Sequence, residues 1–328
     1  MKNTKNPIHL RELIIALGVI LTIFVLGAIF DFEFSKTVFA SSKDNPSLYG
    51  IIFSGIAELP VTACLCIGGF MQIRGRVKEE KFGPKEFLCW FFGIVAIGAG
   101  AYYVYDTFTD LAGFPGLYEH EKLIKVLGIA FALLFVVGTG AYVFFRLKNA
   151  SKEQMLDLGN ILVFSSLIVA VAGTGAKYLW SRPRPRYIFS AQGDASSLFK
   201  NFYELNPFYA LTHKNVDGIY FEPYGEDAFR SFPSGHSMYS GLGMFLLPYL
   251  TLLTKENKEN RTLQISLFYV GLAWGLISAL SRVFAGAHFL TDISAGLLIT
   301  LVLGGATNII GYKLVEKRAS KEVKEIAD

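Results

Sequence analysis

The chain has 328 residues, of which 52% are hydrophobic and only 18% charged, whereas roughly a quarter of the residues of a soluble domain carry charge. A formal net charge of +4, with no stripe of Lys and Arg interleaved with aromatics, gives no ground for nucleic-acid binding. The three cysteines, Cys64, Cys66 and Cys89, all lie in apolar stretches, which excludes a disulfide framework and leaves them as packing residues.

A helix needs about 20 apolar residues to cross the hydrocarbon core. Stretches of that kind, or nearly so, run at about 13–30, 48–73, 87–105, 123–145, 159–179, 237–254, 264–281 and 290–314. None alternates with the two-residue period of a strand, and lipid forces each span to satisfy its own backbone. The predicted fold is therefore all-α, a polytopic membrane helical bundle of about 8 transmembrane helices.

The first stretch follows a basic leader, and Val38-Phe39-Ala40 resembles a cleavage site. Asp31, Glu33 and Lys36 intervene, however, and the apolar run is long for a signal, so an uncleaved anchor is expected. The second stretch holds Glu58, followed by Leu59 and Pro60. An ionisable side chain this deep in an apolar run is a candidate for lining a substrate cavity or pairing with a cation, against a buried pair that only fixes packing. Gly-x-Gly-Ala recurs at 98–101, 138–141 and 173–176, near the ends of the third, fourth and fifth stretches. With no strand before them these are not phosphate loops, and they read as sites of close helix approach.

The longest connection is 180–236. Its aromatics, among them Tyr187, Phe199, Phe202, Tyr209 and Tyr224, argue for an ordered lid or substrate-entry element. Nineteen of the 31 Lys and Arg fall in the leader, in the loops after spans two, four and six, and in the tail. The positive-inside rule then puts both termini in the cytoplasm, and turns the 180–236 loop and the turn after Arg282 outward.

Three segments meet on that outer face. In the first, Lys177 and Arg184 are seven apart, two helical turns, and so approximately share a face up to Pro183 and Pro185. Cations beside an apolar wall are costly unless they meet an anion; interfacial snorkelling is the competing reading, and the preferred one for Arg182 and Arg186. In the second, Pro233-Ser-Gly-His236 opens a helix whose first amides and dipole suit a phosphate. Gly235 lets an oxyanion approach, and His236 stands beside it as a proton donor; alternatively, Ser234 is simply a helix cap. In the third, His288 and Asp292 are four apart, a spacing that lets a carboxylate hold the imidazole Nδ1 proton and leave Nε2 for attack on phosphorus, unless the pair is a plain helix contact. Arg282 adds a fork for two phosphate oxygens. Carboxylate and thiolate ligands are too few for a metal site, so the set is suited to holding a phosphate without a metal. His9, His120 and His213 carry no partner pattern and read as solvated.

Complete and in order, the three segments resemble the signature of the type 2 phosphatidic acid phosphatase superfamily. That superfamily covers lipid phosphate phosphatases, undecaprenyl-diphosphate phosphatases, glucose-6-phosphatase-like enzymes and vanadium haloperoxidases. The resemblance covers 177–292 and extends over a six-helix phosphatase core, spans three to eight. It implies that His288 is the nucleophile and forms a phosphohistidine, that Asp292 orients it, and that His236 protonates the leaving oxygen. Lys177, Arg184 and Arg282, with the amides around Ser234 and Gly235, would hold the phosphoryl oxygens, with no metal and no other cofactor. Many members have three spans before the first motif and this chain has five, so spans one and two, with Glu58, lie outside what the resemblance explains.

The expected organisation is 1–86, a cytoplasmic leader and two extra transmembrane helices; 87–314, the phosphatase core with the outer loop 180–236; and 315–328, a cytoplasmic basic tail. The expected activity is metal-independent hydrolysis of a phosphorylated lipid, such as a polyprenyl diphosphate or phosphatidate, at the outer leaflet of the plasma membrane. A lipid phosphotransferase using the same site and a non-catalytic transporter or scaffold are the alternatives; a haloperoxidase fits less well, because those relatives are soluble. The bilayer and the lipid are the expected partners, and no oligomeric state is legible.

Overall fold

The computed structural model describes residues 6–42, 47–76, 83–113, 116–190, 197, 199–212, 228–253, 257 and 259–327. They form α1 (Leu10–Ser42), α2 (Leu48–Ile56), α3 (Leu59–Arg76), α4 (Pro84–Thr109), α5 (Glu121–Ala141), α6 (Lys152–Trp180), α7 (Pro185–Ser190), α8 (Tyr209–Thr212), α9 (Gly235–Gly241), α10 (Gly243–Thr251), α11 (Arg261–Phe284) and α12 (Leu290–Ala327). Among the described residues there is no strand, as expected. Seven segments are long and apolar enough to cross a membrane: Leu10–Phe39, Leu48–Arg76, Glu86–Ala112, Tyr118–Arg146, Lys152–Phe189, Arg261–Phe284 and Leu290–Leu314. The chain is a multi-pass membrane protein built as a helical bundle.

Two of the predicted spans are interrupted. The stretch 48–73 breaks between α2 and α3 at Ala57 and Glu58. Pro60 has no amide to give to the carbonyl four residues back, so the helix cannot run through unbroken. The stretch 237–254 is not one helix but α9 and α10, which meet at Leu242. Pro248 lies inside α10, and Gly243 crosses α11 so closely that a Cβ on Gly271 would run into the Gly243 backbone. An apolar run measures affinity for lipid, not helix continuity, and here the two part.

The bundle is layered around α3, which packs on α4 and α6; α1 lies along α12, and α9 is wedged against α6, α11 and α12. Within the protein, 67% of the Leu48–Arg76 window is buried but only 22% of the Tyr118–Arg146 window, so the former is central and the latter peripheral. The outward side chains of the peripheral helix, such as Leu134, Val137 and Phe145, are apolar and suited to lipid contact. Each Gly-x-Gly-Ala repeat contributes one glycine to a close contact. Gly100 faces Cys66 and Thr62 of α3, Gly140 faces the Phe70 ring, and Gly173 faces Met238 of α9. Their partners Gly98, Gly138 and Gly175 face open space.

Candidate active site

The three motifs sit at four neighbouring helix ends: the end of α6, the start of α9, the end of α11 and the start of α12. A Ser151–Gln154 capping box starts α6, and the helix stops one turn after Lys177. There Ser181 turns left-handed (φ 40°) and its amide bonds the Lys177 carbonyl at 3.0 Å. The chain leaves the helix before Arg184, whose amide donates to the Ala228 carbonyl at 2.8 Å. Lys177 and Arg184 therefore do not share a helical face as their spacing suggested; the turn at Ser181 carries Arg184 away from α6. They still converge electrostatically, since the charges of Arg282, Lys177 and Arg184, and the His288 ring, all act on His236.

A Cβ on Gly235 would stand 3.2 Å from Lys177 Nζ, so the missing side chain leaves room for the lysine head at the start of α9. Ser234 is the N-cap of α9, its hydroxyl accepting from the Ser237 amide at 3.4 Å and the Ser237 hydroxyl at 2.9 Å. Its own amide donates to the Asp292 carbonyl at 3.0 Å. That bond ties the second motif to the third and withdraws the Ser234 amide from any anion nest, leaving the amides of Gly235 and His236 in the first turn. Arg282, buried in the last turn of α11, bonds the Ser54 hydroxyl of α2 through Nη1, and its Nε is buried without a hydrogen-bond partner among the described residues.

His288 precedes α12 instead of riding on it. Its Nδ1 lies 2.7 Å from the Ser231 carbonyl and 3.8 Å from Asp292 Oδ2. A carbonyl can only accept, so Nδ1 carries the proton and Nε2 is the lone-pair nitrogen. The expected direct hold by Asp292 is replaced because that carboxylate is engaged elsewhere. It accepts from the Phe289 amide at 2.8 Å in capping-box fashion, from the Ser231 hydroxyl at 2.5 Å and from Arg182 Nη1 at 2.6 Å. Asp292 thus fixes Ser231, and Ser231 fixes the imidazole. Burial, with Arg184 and Arg282 adding to it against the opposing pull of Asp292, pushes His288 down to about 3, so the ring is neutral around pH 7.

A family model described as the PAP2 superfamily matches residues 155–316, a range that contains all three motifs. Phosphatidylglycerophosphatase B of Haemophilus influenzae is 32% identical over 200 residues, which cover 58% of this chain and 75% of that protein. The chain belongs to the PAP2 superfamily. A second relative, phosphatidylglycerophosphatase B of Bacillus subtilis, is 32% identical over 88 residues, 25% of this chain and 40% of that protein. No solved structure is significantly similar to the chain. As a PAP2 member with these relatives, the chain is a lipid phosphatase.

Around the PAP2 motifs the structure places partners that sequence reasoning missed. Arg182, expected to snorkel, is only 1% exposed. Besides Asp292 it pairs with Asp31 of α1 at 3.1 Å, donates to the Thr291 hydroxyl at 2.8 Å and to the Lys200 carbonyl at 2.7 Å, and lies 4.2 Å from the Phe289 ring centroid. Asp31 in turn accepts from the Thr291 amide at 3.0 Å and from its hydroxyl. Two buried carboxylates thus flank one guanidinium, which offsets the cost of burying either alone. The sequence held one usable signal: Asp31 is an acid at the very edge of the first apolar run, a weaker form of the warning that singled out Glu58.

Glu58 itself is buried at the α2–α3 break, with Oε2 3.0 Å from the Thr107 hydroxyl of α4 and Oε1 3.5 Å from His236 Nδ1. Its partner is therefore a motif histidine. Among the described residues of the 180–236 loop the aromatics pack on the bundle: Phe199 lies against Phe289 and Phe32, Tyr187 and Tyr209 against Phe229, and Phe202 against Phe24 of α1. Tyr220, Phe221 and Tyr224, like His213, lie outside the described residues; His9 and His120 are exposed. A cleft of about 440 Å³ between α6 and α12, lined by Asp157, Asn160, Thr307 and mostly apolar residues, involves none of the motif residues.

Proposed function

We propose that this PAP2 protein hydrolyses a phosphorylated lipid at the outer leaflet through a phosphohistidine on His288, without a metal. The observation that carries the reading is the His288 ring itself, buried, neutral, and fixed through Nδ1 on the Ser231 carbonyl, so that Nε2 is left for phosphorus. Lys177, Arg184 and Arg282 supply positive charge to the same place. In the first step the Nε2 lone pair attacks phosphorus, the P–O bond to the lipid breaks, and His236 gives its proton to the departing oxygen. In the second, water attacks the phosphohistidine, its proton returns to His236, and inorganic phosphate leaves with His288 restored. The cations and the Gly235 and His236 amides hold the phosphoryl oxygens while charge builds on them. The names of the two relatives make the phosphate monoester of phosphatidylglycerol the first substrate to test, followed by phosphatidate and a polyprenyl diphosphate.

The test is phosphate release from that panel by purified protein in detergent, with no acceptor lipid present. Release in water supports hydrolysis; turnover only when an alcohol acceptor is added would favour a phosphotransferase. Activity is expected to persist in excess EDTA, because every charge used belongs to a side chain. Loss of activity that added divalent cation restores would overturn the metal-free reading. The orientation follows the Lys and Arg asymmetry. A fluorescent reporter fused after Asp328 is expected to light up in the cytoplasm, and an alkaline phosphatase fusion there to stay inactive. The reverse pattern would place the site on the inner face.

A further inference from the structure

We propose that Glu58 is a positioning residue for His236, holding the imidazole by Nδ1 and favouring the imidazolium that donates to the leaving oxygen. The proposal rests on the reading of His236 as proton donor and adds a residue that lies outside the range matched to the family.

The physical problem is one of charge. Burial first, and then Arg282, His288, Lys177 and Arg184, hold the His236 imidazole well below its usual range, so the site by itself opposes the protonated ring. A proton donor in that position has to be an imidazolium, so it needs negative charge close by. The structure supplies two carboxylates, one at each ring nitrogen. Glu58 Oε1 is 3.5 Å from Nδ1, and Asp110 Oδ2 is 3.5 Å from Nε2. The two are not equivalent. Asp110 is about half exposed at the end of α4, while Glu58 is buried and braced by the Thr107 hydroxyl at 3.0 Å. Only the buried one can hold the ring in a fixed orientation while Nε2 exchanges its neighbour for the substrate oxygen. A distance of 3.5 Å is long for a hydrogen bond, as catalytic contacts without substrate often are. The fold commits to the placement: α2 and α3 break at Ala57 and Glu58, which sets this carboxylate against the start of α9.

The test uses the dependence on leaving group, which a merely structural role does not move. A phosphatidate has an alkoxide leaving group that needs a proton; an aryl phosphate such as p-nitrophenyl phosphate has one that hardly does. Glu58→Gln, nearly isosteric and able to keep the Thr107 contact, is expected to lower kcat/KM on phosphatidate by about 10- to 100-fold, and on the aryl ester much less. Glu58→Asp should recover part of the loss. His236→Ala is the reference and should show the same preference more strongly. The double variant should be no slower than His236→Ala alone, because the two residues act as one unit. Equal losses on both esters for Glu58→Gln, or multiplying losses in the double variant, would refute the role of Glu58 while leaving His236 as donor. Equal losses for His236→Ala itself would bring down the proton-donor reading, and the role of Glu58 with it.

Discussion

His288→Ala is expected to abolish phosphate release, by at least about 10⁴-fold, while the purified protein keeps its helical circular dichroism and its elution volume. The magnitude follows from the chemistry proposed for the residue: removing a covalent nucleophile removes the whole two-step route, leaving only what binding and charge stabilisation provide. The structural cost is smaller. The side chain gives up its bond to the Ser231 carbonyl, and an unsatisfied buried carbonyl costs roughly 1–3 kcal/mol, a loss a bundle of this size can absorb. Rapid quench with radiolabelled substrate should trap acid-labile phosphate on the wild-type protein and none on the variant. Undiminished turnover by His288→Ala would end the phosphohistidine mechanism.

The second large effect is expected at a residue that makes no proposed contact with substrate. Arg182→Ala leaves Asp31 and Asp292 buried without their shared cation, and breaking a buried pair in this way costs about 3–5 kcal/mol. The contact with the Phe289 ring is lost as well. Thermal unfolding in detergent should shift well below wild type. Activity at a temperature where the variant is still folded should fall roughly 100-fold, about 2.7 kcal/mol, because Asp292 no longer holds Ser231 and hence His288 in place. Arg182→Lys is expected to recover part of the stability and little of the activity: one ammonium cannot reproduce a guanidinium that bonds Asp31, Thr291, Asp292 and the Lys200 carbonyl at once. Wild-type stability and turnover in Arg182→Ala would mean the network is idle.

Arg182 also shows where sequence reading stops. The helical bundle was legible because apolar run length is a local property, and the three motifs because their spacings are local too. The fate of a basic residue at a membrane rim is not local. Snorkelling and burial look alike until it is known whether a carboxylate waits nearby, and Asp31 lies 151 positions away in the chain. The same applies to His288. A spacing of four suggests one helical face, but α12 begins at Leu290, and whether a helix starts two residues earlier depends on Asp292 capping Phe289. Glu58 was legible as an anomaly, because any acid in an apolar run has to be accounted for. Its partner was not, since only the fold brings α2 to α9.

The tie between Asp31 and the pair Arg182–Thr291 has a consequence for biosynthesis. Asp31 is on α1, while Thr291 comes 260 residues later, near the start of α12. The carboxylate of α1 waits for its cation until Arg182 has been made, 151 positions later, and for its bonds to Thr291 until more than a hundred further residues have followed. Until α12 docks, the Asp31–Arg182 pair lacks its Thr291 bonds and the candidate site lacks His288 and Asp292, so packing of α12 and assembly of the site are one event.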